Sequence, residues 1–138
     1  MTLTRRSVMV MGAGAFVAFG VPMRASAAAE DAISEFTGGA EVGDGGVTLT
    51  APEIAENGNT VPIEIDAPGA EAVLILAMGN PTPGVARFNF GKLSASQTAS
   101  TRIRLAGTQD VVAVAKMKDG SFAKASSNVK VTIGGCGG

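Results

Sequence analysis

Apolar and polar residues alternate along most of the chain beyond Val47. V-T-L-T (Val47 to Thr50) steps between the two classes. T-V-P-I-E-I-D (Thr60 to Asp66) places Val61, Ile63 and Ile65 on one face. This period of two predicts half-buried strands. Pro62 lies inside the second run and points to an edge strand or a strand start, because it has no N–H for a ladder. Ala72 to Met78, A-V-L-I-L-A-M, is apolar throughout, as expected of a central strand covered on both faces. Ala86 to Phe90 alternates again, and Thr98 to Ala106 and Val111 to Met117 predict two more strands. In the last strand, Asn128 to Ile133, Val129, Val131 and Ile133 are expected inward and Lys130 and Thr132 outward.

Turn signals separate these runs. They are Asn57-Gly58, the Asn80-Pro81-Thr82-Pro83-Gly84 loop, and Asp119-Gly120, a strong hairpin signal. Short strands at such spacing predict an all-β fold, an antiparallel immunoglobulin-like β-sandwich, with a small barrel as the runner-up.

The first third follows different rules. Arg5 and Arg6 precede an apolar stretch from Val8 to Val21, then Arg24 and A-S-A at Ala25 to Ala27. That order describes an export signal over residues 1–29, cleaved near Ala27 or Ala29. The paired arginines after Thr4 resemble a twin-arginine leader. An ordinary secretory signal and an uncleaved anchor are the alternatives. The stretch is short for a membrane span of roughly 20 residues. Residues 30–46 read as a flexible lead-in, with a short helix at Glu30 to Phe36 interrupted by Gly38-Gly39 and by the Gly-rich run from Gly43 to Gly46. The sandwich is assigned to residues 47–133 and a carrier arm to residues 134–138.

Charge and composition narrow the function. Three of the eleven basic residues belong to the leader and all twelve acidic ones lie beyond it, so the mature chain carries eight against twelve, a net charge of −4. With no basic stripe, no Trp and no Tyr, the means of nucleic-acid binding are missing. There is no histidine. The commonest general base and metal ligand are therefore absent, and neither a Ser-His-Asp nor a Cys-His arrangement can form. No catalytic or metal-binding residue is assigned. Glu53 and Glu56 read as a solvated turn of helix. Gly43 to Gly46 is not followed by the Lys-Ser/Thr of a phosphate loop and reads as linker. Met78 and Met117 fall on core positions. Arg87, Arg102 and Arg104 are candidates for a cationic surface.

One cysteine remains, Cys136, in G-G-C-G-G (Gly134 to Gly138). A lone cysteine in an exported chain points to intermolecular pairing or a reactive thiol. Burial as apolar filler does not suit it, because its neighbours supply no side chains. Five residues past Ile133 span about 17 Å, narrow enough to enter a cleft in another protein. Nothing nearby lowers the thiol pKa, so activation is expected from a partner's site. A group carried on a tether between enzymes fits these features. A structural intermolecular disulfide, or an enzyme with a cysteine nucleophile, are the competing classes.

I-A-E-N-G-N-T-V-P (Ile54 to Pro62), N-P-T-P (Asn80 to Pro83), T-R-I-R-L-A (Thr101 to Ala106) and V-T-I-G-G-C-G-G (Val131 to Gly138) resemble the SoxY family. These are the sulfur-carrying subunits of the bacterial thiosulfate-oxidising multienzyme system. The resemblance implies a non-catalytic periplasmic carrier, exported by the twin-arginine route and not membrane-bound when mature. Thiosulfate-derived sulfur would be attached to Cys136, on an arm of Gly134, Gly135, Gly137 and Gly138, with no other cofactor. It implies a heterodimer with a SoxZ subunit and transient docking to the c-type cytochrome SoxAX, the dimanganese hydrolase SoxB and, where present, a sulfur dehydrogenase. Sheet faces bearing Val, Ile and Phe on so small a domain also suggest that a partner covers them.

Overall fold

The computed structural model describes residues 23–134, with side chains from Ala27 onward. Among these residues it holds one helix, α1 (Met23–Thr37), and nine strands. The strands are β1 (Val42–Asp44), β2 (Thr48–Thr50), β3 (Ile54–Ala55), β4 (Val61–Asp66), β5 (Ala70–Ala77), β6 (Gly84–Asn89), β7 (Thr98–Ile103), β8 (Gln109–Met117) and β9 (Phe122–Val131).

They form two sheets, so the sandwich reading holds over the barrel. The larger runs β1-β9-β8-β5-β6, with β3 also on β9, and the smaller runs β2-β4-β7. Most pairs are antiparallel. The exceptions are β1 and β3, which each add to β9 in parallel. The apolar run of β5 is indeed central, between β8 and β6. Val61, Ile63 and Ile65 of β4 face Val73, Ile75, Val111 and Ala113 across the sandwich, with Leu105 and Val129 in the same core. Of the two readings of Pro62, the strand start holds, since β4 begins at Val61, and the edge strand does not. β4 is the middle strand of the small sheet, but β2 stops at Thr50, opposite Glu64, so Pro62 has a neighbour only on the β7 side. The missing N–H therefore has no ladder bond to lose on the open side.

The outer face of the larger sheet is covered from within the chain. Ala32, Ile33 and Phe36 of α1 pack on Leu76, Val112 and Val114. The Phe36 ring meets Phe122 edge-on, with centroids 6.0 Å apart, and the Arg87 guanidinium lies 5.2 Å above Phe36. α1 is rich in alanine, which favours helix. It ends where Gly38 and Gly39 take positive φ, 66° and 85°. The lead-in expected over residues 30–46 is thus a packed helix followed by a strand. Ala29, assigned to the leader, is fully buried. The rest of the leader, up to Pro22, lies outside the described residues.

Smaller expectations are also adjusted. Glu53 and Glu56 flank a two-residue strand rather than a helical turn. Gly43 belongs to β1, and only Gly45 and Gly46 serve as the turn after it, both at positive φ. Met78 packs in the outer cluster and Met117 in the inner core. The Asp119-Gly120 hairpin forms as read. The Asp119 carboxylate accepts bonds from the hydroxyl and the N–H of Ser121, which hold its pKa below the usual carboxylate value.

Candidate functional site

The base of the C-terminal arm is built by three segments far apart in sequence. β9 ends at Val131, but its backbone continues to be held beyond that point. Thr132 N–H donates to the Ala55 carbonyl at 3.0 Å, and Thr132 Oγ1 donates to the Glu56 carbonyl at 3.0 Å. Gly58 N–H then donates to the Ile133 carbonyl at 2.7 Å. The Gly58 carbonyl in turn accepts from Leu105 N–H, also at 2.7 Å. The Asn57-Gly58 turn, legible as punctuation in the sequence, thereby stitches the end of β9 to the segment after β7.

That segment is fixed by a buried amide pair. Asn80, 1% exposed, donates through Nδ2 to the Arg104 carbonyl at 2.7 Å. Its Oδ1 accepts from Ala106 N–H and from Gln109 Nε2, both at 2.9 Å. Gln109 also donates to the Gly107 carbonyl and accepts from Gly79 N–H. Every described buried polar side-chain atom has a partner. The sequence reading placed Asn80 only in a loop and assigned Gln109 nothing. Their positions 29 residues apart gave no local cue.

Gly134 lies against this platform. A Cβ there would collide with the Ala106 carbonyl, so glycine is required for the chain to leave at this point. Ile133 does not point inward as expected. Its side chain is 68% exposed, since the core ends at Val131. Gly135, Cys136, Gly137 and Gly138 lie outside the described residues.

The three arginines do not form one surface. Arg87 is on the larger sheet over Phe36, whereas Arg102 and Arg104 lie together beside the platform. They line a cleft of about 290 Å³ with Asn80, Thr82 and Val85. A shallower groove of about 570 Å³ adjoins it, running past Pro52, Pro62 and Glu64, with Arg102 common to both. Among the described residues no group of His, Cys, Asp or Glu is arranged to hold a metal. No described helix is long and apolar enough to cross a membrane.

The family model described as sulfur oxidation protein SoxY matches residues 33–136, a span that takes in both the platform and Cys136. Among solved structures, the sulfur carrier protein SoxY of Chlorobium limicola f thiosulfatophilum is similar at a TM-score of 0.70 and 31% identity, over 79% of this chain and 96% of that one. The superoxide reductase (neelaredoxin) of Ignicoccus hospitalis is similar at a TM-score of 0.55 and 14% identity, over 63% and 80% of the two chains, and shares the fold alone. No curated protein matches. The chain belongs to the SoxY family and is a sulfur carrier of sulfur oxidation rather than a catalyst.

Proposed function

We propose that Cys136 is the point at which the carried sulfur is covalently attached, and that residues 134–138 present it to partner enzymes in the periplasm. The observation that carries this reading is the family match running through to Cys136, the only cysteine of the chain. The chemistry requires a thiol held clear of its own domain by a fixed base. The bonds from Gly58 and Thr132 supply such a base up to Ile133.

The cycle needs no group on this chain beyond the thiol. Cys136 loses its proton, Sγ bonds to the sulfane sulfur of thiosulfate, and two electrons pass to a c-type cytochrome of the SoxAX kind. The product is a cysteine S-thiosulfonate. A dimanganese hydrolase of the SoxB kind adds water to the terminal sulfonate sulfur, releasing sulfate and a proton and leaving a persulfide. Where the host has a sulfur dehydrogenase, it oxidises the outer persulfide sulfur to a sulfonate, with three waters supplying the oxygens and the six electrons passing to a cytochrome acceptor, and a second hydrolysis releases sulfate and restores the thiol. A SoxZ subunit is the stable partner, and the twin-arginine leader directs export. The bound sulfur species are the only prosthetic groups in this reading.

Intact-mass measurement on the protein from the periplasmic fraction of thiosulfate-grown cells tests it. Adducts of thiosulfonate and persulfide mass on Cys136 are expected, together with loss of thiosulfate oxidation in a Cys136→Ser strain. An unmodified thiol alone, unchanged oxidation in that strain, or a stoichiometric intermolecular disulfide that thiosulfate chemistry never opens would each overturn it.

A further inference from the structure

We propose that the leader is removed between Ala27 and Ala28, and that the folded domain selects this bond by holding helix α1 against the larger sheet. The inference rests on the reading of residues 1–29 as a cleaved leader. Three observations carry it.

The first is that composition leaves the bond open. A leader peptidase asks for small residues at the first and third positions before the cut. Residues 25–29 read A-S-A-A-A. Cuts after Ala27, after Ala28 and after Ala29 all meet the requirement, with Ala25, Ser26 and Ala27 as the respective third residues back. Something beyond residue size must choose among them.

The second is burial. Helix α1 runs from Met23, so all three bonds lie within it. A peptidase cleft takes its substrate as an extended chain, so the turn before the bond must first unwind. Ala27 is exposed, Ala28 is half-buried and Ala29 is fully buried. Ala29 begins the stripe that continues through Ala32, Ile33 and Phe36, the spacing of one helix face. Those three residues lie on Leu76, Val112 and Val114 of the larger sheet. A cut after Ala27 extends Ala25 to Ala27 and unwinds only the helix ahead of this stripe. A later cut would also draw Ala28, or both Ala28 and Ala29, out of their packing.

The third is charge. The first four N–H groups of a helix lack partners within it, and the helix dipole favours carboxylates there. In the precursor the helix begins with Met23 and Arg24, which sets a cation at the positive end. After a cut at Ala27 the first four residues are Ala28, Ala29, Glu30 and Asp31. Both carboxylates then stand in the first turn and offset the new α-ammonium of Ala28. Removal of the leader thus improves the helix end and keeps the docked stripe whole.

The test uses the full-length chain, expressed with its partner subunit and recovered from the periplasm for intact-mass measurement. A mature chain that starts at Ala28 is expected. A start at Ala29 or Glu30 would overturn the proposal and leave the leader reading standing, whereas a leader still attached would overturn both. Ala25→Leu then tests selection by the fold. It spoils the third position for the cut after Ala27 alone, and the two later bonds stay suitable by composition. Uncut precursor is expected to accumulate, and undiminished processing at a later bond would overturn the proposal. Adding Phe36→Ala loosens the helix from the sheet and is expected to restore processing, now after Ala28 or Ala29. Because loss of Phe36 also weakens the domain, purified Ala25→Leu precursor is treated in parallel with leader peptidase in rising urea. Cleavage at the later bonds is expected only as urea releases the helix. Cleavage in neither the double variant nor the urea series would overturn the proposal.

Discussion

Asn80 does more for this molecule than its place in a Pro-rich loop suggests. Its amide satisfies one backbone carbonyl, one backbone N–H and the Gln109 side chain in a nearly water-free position. Replacing it with alanine leaves the Ala106 N–H and the Arg104 carbonyl without these partners. Asn80→Ala is therefore expected to cost about 2–4 kcal/mol in chemical denaturation, and a loss under about 1 kcal/mol would refute the role given to it. Gly134→Ala acts differently. It forces a methyl group into the Ala106 carbonyl, so the end of β9 must shift. The bond from Gly58 N–H to Ile133 is expected to weaken, and exchange of the Gly58 amide to quicken about three- to tenfold. Unchanged exchange would show that the arm leaves by another path. At this scale Cys136 was proposed from the sequence because its signal is local: five residues carry it. The Asn80–Gln109 pair was not, because two amides far apart in sequence mean nothing until tertiary folding joins them.

The elements divide along the same line. β4, β5 and β8 could be read from alternation or from continuous apolarity, because each buries at least three side chains. β1 and β3 span only three and two residues and exist because β9 offers them a free edge. Helix α1 was half-hidden because its alanine-rich first turns resemble a leader as much as a helix. Its contribution is measurable. Phe36 joins Leu76, Val112 and Val114 beneath it, Phe122 at its edge and Arg87 above. Phe36→Ala is expected to cost about 2–3 kcal/mol, less than a wholly buried phenylalanine because its ring is only partly covered. It is also expected to raise binding of a hydrophobic dye as the outer sheet face opens. Unchanged melting would mean that the helix is not held by this contact.

For the whole molecule, the two-sheet architecture was foreseen, but the reason offered for a partner was not sound. Both faces of the larger sheet are covered within the chain, and the exposed face of the smaller sheet carries Thr48, Thr50, Glu64, Asp66 and Ser100. The proposed SoxZ subunit is thus not needed to hide an apolar sheet. Its place rests on family membership, and its surface is expected to be more polar than a domain core. Size measurement on the purified carrier is expected to give a heterodimer, and a stable monomer at working concentration would count against it. The strand that ends in the arm also has a mechanical consequence. β9 is bonded to β8 on one edge and to β1 and β3 near opposite ends of the other. An enzyme that grips Cys136 and pulls would load these ladders in shear, where many bonds must fail together instead of unzipping singly. Under the proposed function, pulling on the arm by one enzyme after another would thus leave the last strand seated in the fold.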